Sequence, residues 1–244
     1  MMYRSLLVFC ILVTEIKGFT MFSWNIHRGV GADGKMDLER TAAIIRKQQA
    51  DVVVLQEVDQ GTTRSGKQFL AQELGSRLGM QVFFGKAIDF QSGEYGQAIL
   101  SAHPLRQKRI VRLSEQGEAR IAVLAEVQIG TEWVTVGGVH FDATSASRRA
   151  EEGKKLLAAL ATTAGKIYVA GDWNEAPSGE VGRMWEKNGW IYQKKSGVPF
   201  TFPQDRPQIE IDFFWTKGAP LAIECRVVDV LGASDHRGVV ARWL

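Results

Sequence analysis

Cysteine is nearly missing from this chain: Cys10 and Cys225 are the only two among 244 residues, and no Cys-x-x-Cys pair occurs. That excludes a cysteine-rich zinc site and leaves little basis for a disulfide framework. Long apolar runs are wanting too, since the stretch Leu6 to Val13 is too short to cross a bilayer as a helix. Charge of one sign is equally scarce, because 30 basic against 27 acidic residues leave +3. Such an excess accommodates an anionic substrate but falls far short of the Lys/Arg density of an obligate nucleic-acid binder. No internal repeat, low-complexity tract or linker breaks the chain.

What is present is an ordinary globular composition, 45% apolar and 23% charged, with length enough for one large α/β domain or two small ones, and no boundary between two is visible. The first residues read separately. Arg4 ahead of Leu6 to Val13 resembles the start of a secretory signal, with a poor cleavage candidate after Gly18. The rival readings are an extra strand or an extension upstream of an internal start at Met21. Residues 1–20 are therefore set apart from a domain at 21–244, and a cytoplasmic location is favoured over export.

Along the domain, Met21 to Ile26 reads as a strand, followed by a Gly-rich loop and a helix capped at Asp37 with Leu38, Ala42 and Ile45 on one face. Asp51 to Leu55 is a second strand, and Lys67 to Leu78 a second helix. Strands at Gln81 to Lys86, Gln97 to Ser101, Arg109 to Leu113, Ile121 to Ile129 and Trp133 to Val139 suggest an antiparallel meander. A helix over Ser147 to Ala161 places Glu151 and Glu152 in its first turns. The strand Lys166 to Ala170, a helix over Glu180 to Lys187, and strands at Ile209 to Trp215, Glu224 to Val230 and Gly238 to Trp243 complete the reading.

Two glycine patterns invite a phosphate-binding interpretation. Gly29-Val30-Gly31-Ala32-Asp33-Gly34 matches G-x-G-x-x-G and makes a dinucleotide-binding oxidoreductase the alternative function. Against it, Asn25, His27 and Arg28 intervene before the first glycine, and Asp33-Gly34 reads as a turn ahead of the cap at Asp37 rather than as part of a helix. Gly61 to Lys67 matches G-x-x-x-x-G-K, but Gln68 follows where a Mg²⁺-binding hydroxyl is needed.

The stronger signal lies at the strand ends, which carry Asn25, Glu57, His140, Asp172, Asn174, Asp212, Asp235 and His236. Singly, each has a bland reading as a cap, a turn residue or a satisfied core histidine. Asp212 is harder to dismiss, because a carboxylate inside Ile209-Glu210-Ile211-Asp212-Phe213-Phe214-Trp215 needs a partner. Together they form a set of hard oxygen donors with imidazoles beside them, suited to Mg²⁺ or Mn²⁺ and to phosphoryl transfer.

Trp24 to Gly29, Leu55-Gln56-Glu57-Val58, Gly96 to Ser101, Val139-His140-Phe141-Asp142, Gly171-Asp172-Trp173-Asn174, Ile211 to Phe214 and Ser234-Asp235-His236 occur in that order. This series resembles the ordered motifs of the endonuclease/exonuclease/phosphatase superfamily of metal-dependent phosphoesterases. The resemblance spans Met21 to Leu244 and implies a four-layer α/β/β/α sandwich of two mixed sheets with helices outside. It further implies a metal-facing set of Asn25, Glu57, Asp172, Asn174 and Asp235, with Glu57 the principal carboxylate. Asp172, aided by Asn174, would deprotonate the attacking water, and His236, held by Asp212, would donate to a phosphate oxygen. His140 and Arg120 would contact the phosphate. The implied substrate is a nucleic acid, a phospholipid head group or a small phosphoester, acted on by a monomer without a stable protein partner. Members specialised for abasic DNA carry Asn-x-Asn-Gly-x-Arg after the first strand; Asn25-Ile26-His27-Arg28-Gly29 departs from it and points away from a repair nuclease.

Overall fold

A computed structural model describes residues 18–115 and 117–244; the signal-like run Leu6 to Val13 lies outside them. Among the described residues no helix is long and apolar enough to cross a membrane.

Two six-stranded sheets form the centre. In the first, β1 (Phe19–Asn25) pairs in parallel with β2 (Val52–Gln60), and β3 (Gln81–Phe90) and β4 (Gly93–Ser101) extend it beyond β2. Its other side is closed by β11 (Glu224–Val228) and β12 (Gly238–Trp243), giving the order β11-β12-β1-β2-β4-β3. The second sheet comprises β5 (Leu105–Ser114), β6 (Arg120–Ile129), β7 (Glu132–His140), β8 (Ile167–Asp172), β9 (Ile191–Tyr192) and β10 (Asp212–Lys217). Its order is β5-β6-β7-β8-β10-β9, with only β7 and β8 parallel. Helices α1 (Leu38–Lys47) and α2 (Leu70–Leu78) cover the first sheet, and α3 (Ala146–Leu160) and α4 (Glu180–Lys187) the second. This is the expected α/β/β/α sandwich.

Several local readings need correction. The supposed meander is divided: β3 and β4 form a hairpin in the first sheet, while β5 to β7 meander in the second. Both sets of strands are joined by short connections, and nothing in those connections marks the change of sheet. Asp37 caps α1 as expected, its side chain accepting from Arg40 N. In α3, however, Ser145 is the cap and Glu152 is a buried second-turn residue whose carboxylate accepts from Asp142 N at 2.9 Å. Ile209 to Ile211 are not strand; β10 begins at Asp212.

The residue period of two explains where the site falls. Phe19, Met21, Val52, Val54, Tyr168, Ala170 and Phe214 fill the space between the sheets. Phe22, Trp24, Val53 and Leu55 face α1 and α2 instead. Continuing the inter-sheet parity along each strand reaches Ser23 and Asn25 on β1, Gln56 on β2, His140 on β7, and Asp172 on β8. The apolar core thus turns polar at one end, and Asn25, Gln56, His140, Asp172 and Asp212 all remain buried there. Two glycines let the chain run so close. A Cβ on Gly138 would lie 2.6 Å from Val54 Cγ1 of the facing sheet, and Gly171, at φ +151°, would place one 2.0 Å from Val139 O. Neither position has room for a side chain.

Candidate active site

Strand register assembles two rows. Across the second sheet, Asp172 is the direct partner of His140 on one side and of Asp212 on the other. Across the first, Asn25 is opposite Gln56. Asn25 Nδ2 then joins the sheets, donating to Asp172 Oδ2 at 3.2 Å and to Glu57 Oε1 at 3.1 Å. Glu57 reaches this position through a bulge: pairing of β2 with β4 slips between Leu55 and Val58, and Glu57 takes φ +56°. Without the extra residue, its parity would send the carboxylate toward α1 and α2. A non-glycine residue in that conformation costs about 1 kcal/mol, which the surrounding ladder supports.

The two histidines beside Asp172 are driven in opposite directions. Burial works against a charge on His236, but Asp212 and Asp172 outweigh it and raise its pKa to about 10. Its Nδ1 lies 3.0 Å from Asp212 Oδ2, and its Nε2 3.7 Å from Asp172 Oδ2. Burial, with the charges of Arg120 and His236 adding to it, pushes His140 well below the usual imidazole range. Its Nε2 is 3.6 Å from the same Asp172 oxygen. Burial is also the main cause that raises Asp172, with His236 opposing and Asp212 reinforcing. A neutral imidazole, an imidazolium and a carboxylate of lifted basicity therefore meet at one atom.

The remaining expected residues fall around this centre. Asn174 closes a turn, its N–H donating to Asp172 Oδ1 at 3.0 Å and its amide to Phe141 O at 2.9 Å. The bland reading of Asp172-x-Asn174 as a local turn describes the first of these bonds, whereas the second ties Asn174 to the residue that follows β7. Asp235 is half exposed and faces His27 at 4.0 Å; Ser234 Oγ donates both to its Oδ1 and to Asn25 O. Arg120 is buried, meets Glu118 at 2.9 Å, and leaves its Nε without a partner.

Sequence reasoning missed the loop that holds Asp212 and His236. Thr201 Oγ1 accepts from both Ile211 N and Asp212 N, and the Phe202 ring lies 4.7 Å from the His236 imidazole. Gln204 N and Arg237 N complete the clamp through Asp235 O and Thr201 O. No local pattern marks these residues, because their partners are ten or more positions away.

The oxygen donors fit a hard divalent cation. One amide nitrogen touches two carboxylates, Glu57 and Asp172, so their oxygens gather around a single point. Asp172, Asp212 and His236 also cluster closely enough to ligate an ion. That second cluster is better described as an ion network, because an imidazolium fixed by Asp212 has no lone pair to offer a metal.

The glycine patterns do not form phosphate cradles. Gly34 lies ahead of the α1 cap, and Gly31 N and Gly34 N bond Lys35 O and Gly31 O. In the second loop, Gly61, Gly66 and Lys67 N–H groups are likewise turned onto the loop itself or its flank.

This sandwich, with a polar rim shared by both sheets, defines a class that comparison makes specific. A family model described as the Endonuclease/Exonuclease/phosphatase family matches residues 22–236, and the chain belongs to that family. YbhP of Escherichia coli is 26% identical over 251 residues, taking in 91% of this chain and 95% of its own. An endonuclease/exonuclease/phosphatase from Beutenbergia cavernae superposes with a TM-score of 0.73 at 22% identity, over 92% of this chain and 71% of its own. The mannosyl-6-phosphatase of Bacteroides thetaiotaomicron gives 0.77 at 14%, over 93% and 100%. Truncated TDP2 of Caenorhabditis elegans gives 0.68 at 19%, over 92% and 97%. At such identities these structures show a shared fold.

Proposed function

We propose that this protein is a hydrolase of phosphoesters, a phosphodiesterase or phosphomonoesterase, in which water attacks phosphorus and no covalent intermediate forms. One observation carries the reading: Asn25 ties the Glu57 and Asp172 carboxylates together, and the Asp172 oxygen it bonds has His140 and His236 beside it.

Glu57 and Asn25, with Asp172 and Asn174 behind them and Asp235 at the edge, would hold Mg²⁺ or Mn²⁺. Such a cation supplies charge neutralisation for the phosphate and acidifies water. Asp172 is the base, because its burial lifts its proton affinity toward the range in which it can accept and release a proton at neutral pH. His236, charged and fixed by Asp212, donates from Nε2 to a non-bridging phosphate oxygen, where preorganised charge contributes most. His140 and Arg120 line the other side; the orphaned Arg120 Nε is a buried donor for which a phosphate oxygen is a natural partner.

The substrate is a nucleic acid, a phospholipid head group or a small phosphoester. Hydrolysis of bis(4-nitrophenyl) phosphate with Mg²⁺ or Mn²⁺ tests the reading. Chelation with EDTA should silence the protein, and His236→Ala should lower turnover by about 10³-fold. Activity indifferent to both changes would overturn it.

A further inference from the structure

A groove of about 720 Å³ runs away from Asn174, two residues from Asp172, between the start of α4 and the segment leading into Asp212. That volume suits a small-molecule substituent. Its walls are largely apolar. Phe200 and Ile209 are 38% and 47% exposed there, opposite Pro177, and Tyr192 packs behind them on Phe213 at 5.7 Å. Solvent-facing apolar side chains gathered beside a catalytic rim call for an occupant.

Polar groups interrupt this surface at Glu175, Arg183, Glu186, Gln208 and Glu210, the last set between Ile209 and Ile211. Glu210 Oε1 accepts from Tyr192 Oη and pairs with Lys195 Nζ, whose side chain is wholly buried. Both fixed donors converge on one oxygen. Among the described residues Oε2 takes no protein hydrogen bond, and it is not enclosed, so it serves the groove as an acceptor held in place from behind. Lys195 cancels the Glu210 charge, so the acceptor does not repel a nearby phosphate, and a neutral donor is preferred over an ammonium.

We propose that this groove binds the ester substituent of the substrate, and that the group it selects is apolar, at least one ring in size, and bears a hydroxyl that donates to Glu210. The inference rests on the phosphoesterase reading and adds the class of substituent. Phe200, Ile209 and Tyr192 supply the apolar contact, while Glu210 sets orientation. Continuity with Asn174 commits the groove to the substrate rather than to a separate partner.

Three diesters sharing a 4-nitrophenolate leaving group test this: methyl, benzyl, and 4-(hydroxymethyl)benzyl 4-nitrophenyl phosphate, each assayed with Mg²⁺ or Mn²⁺. Because the leaving group is constant, ratios of kcat/KM report the other substituent. Benzyl should exceed methyl by roughly 10–100-fold. The added hydroxyl should contribute about another tenfold. Phe200→Ala, at an exposed position, should shrink the benzyl-to-methyl ratio. Glu210→Met combined with Lys195→Met, which removes the acceptor and leaves no lone buried ammonium, should erase the hydroxyl preference while keeping the benzyl one. Equal rates for all three esters, or ratios unmoved by Phe200→Ala, would overturn the groove assignment while leaving the phosphoesterase reading intact. No hydrolysis of any ester would overturn that reading itself.

Discussion

Replacing Asp212 with Asn is the sharpest perturbation, because it keeps shape and removes only the charge that holds His236. The two side chains are 3.0 Å apart and both buried, so solvent does little to screen them. Lifting an imidazole from 6.5 to about 10 is worth on the order of 5 kcal/mol of preference for the charged form. Burial opposes that charge and Asp212 is the foremost group supporting it. Without Asp212 only Asp172 and Asp235 remain to oppose burial, and the His236 midpoint should fall well below 10. The sequence has only four histidines, so an NMR titration of the imidazoles in chelated protein resolves each one. The stability sign follows. A raised pKa gives stabilisation that is full below 6.5 and is lost as pH rises through about 10. Chelated wild-type protein should therefore lose thermal stability across that window, by roughly 10 °C in Tm, and Asp212→Asn should flatten the slope. A wild-type His236 that titrates near 6.5, or an unchanged midpoint in the variant, would refute the reasoning.

Two further outcomes test other parts of the structure. Gly171→Ala drives a Cβ into Val139 O at an incompatible φ, so denaturant unfolding should show a loss of about 2–4 kcal/mol or no folded protein. Glu57→Gln should weaken Mg²⁺ binding at least about tenfold by calorimetry while thermal unfolding of the chelated protein stays nearly the same.

Much of the architecture was legible because strand burial follows a period of two and helix burial follows 3.6. Trp24 and Asn25 illustrate the gain: their alternation alone sends one toward α1 and α2 and the other toward the site. The partition of strands between sheets was not legible, since β4 and β5 carry no mark of the crossover that parts them. Nor was the Glu57 bulge, which depends on how β4 pairs rather than on residues near position 57. Ordered motifs located Asp172, Asp212 and His236. They said nothing of Thr201 or Phe202, whose role arises from a loop folding back across the rim.

The order of strands has a consequence for how the protein is completed during synthesis. All of the second sheet is made from one unbroken segment, residues 105–217, whereas β1 finds its outer neighbour only in the last strand, β12. Ser234 to His236 lie in the turn that delivers that strand. A nascent chain can hold Asp172 and Asp212 in a finished second sheet before His236 arrives, so the contacts joining these three side chains come with the final closing stitch.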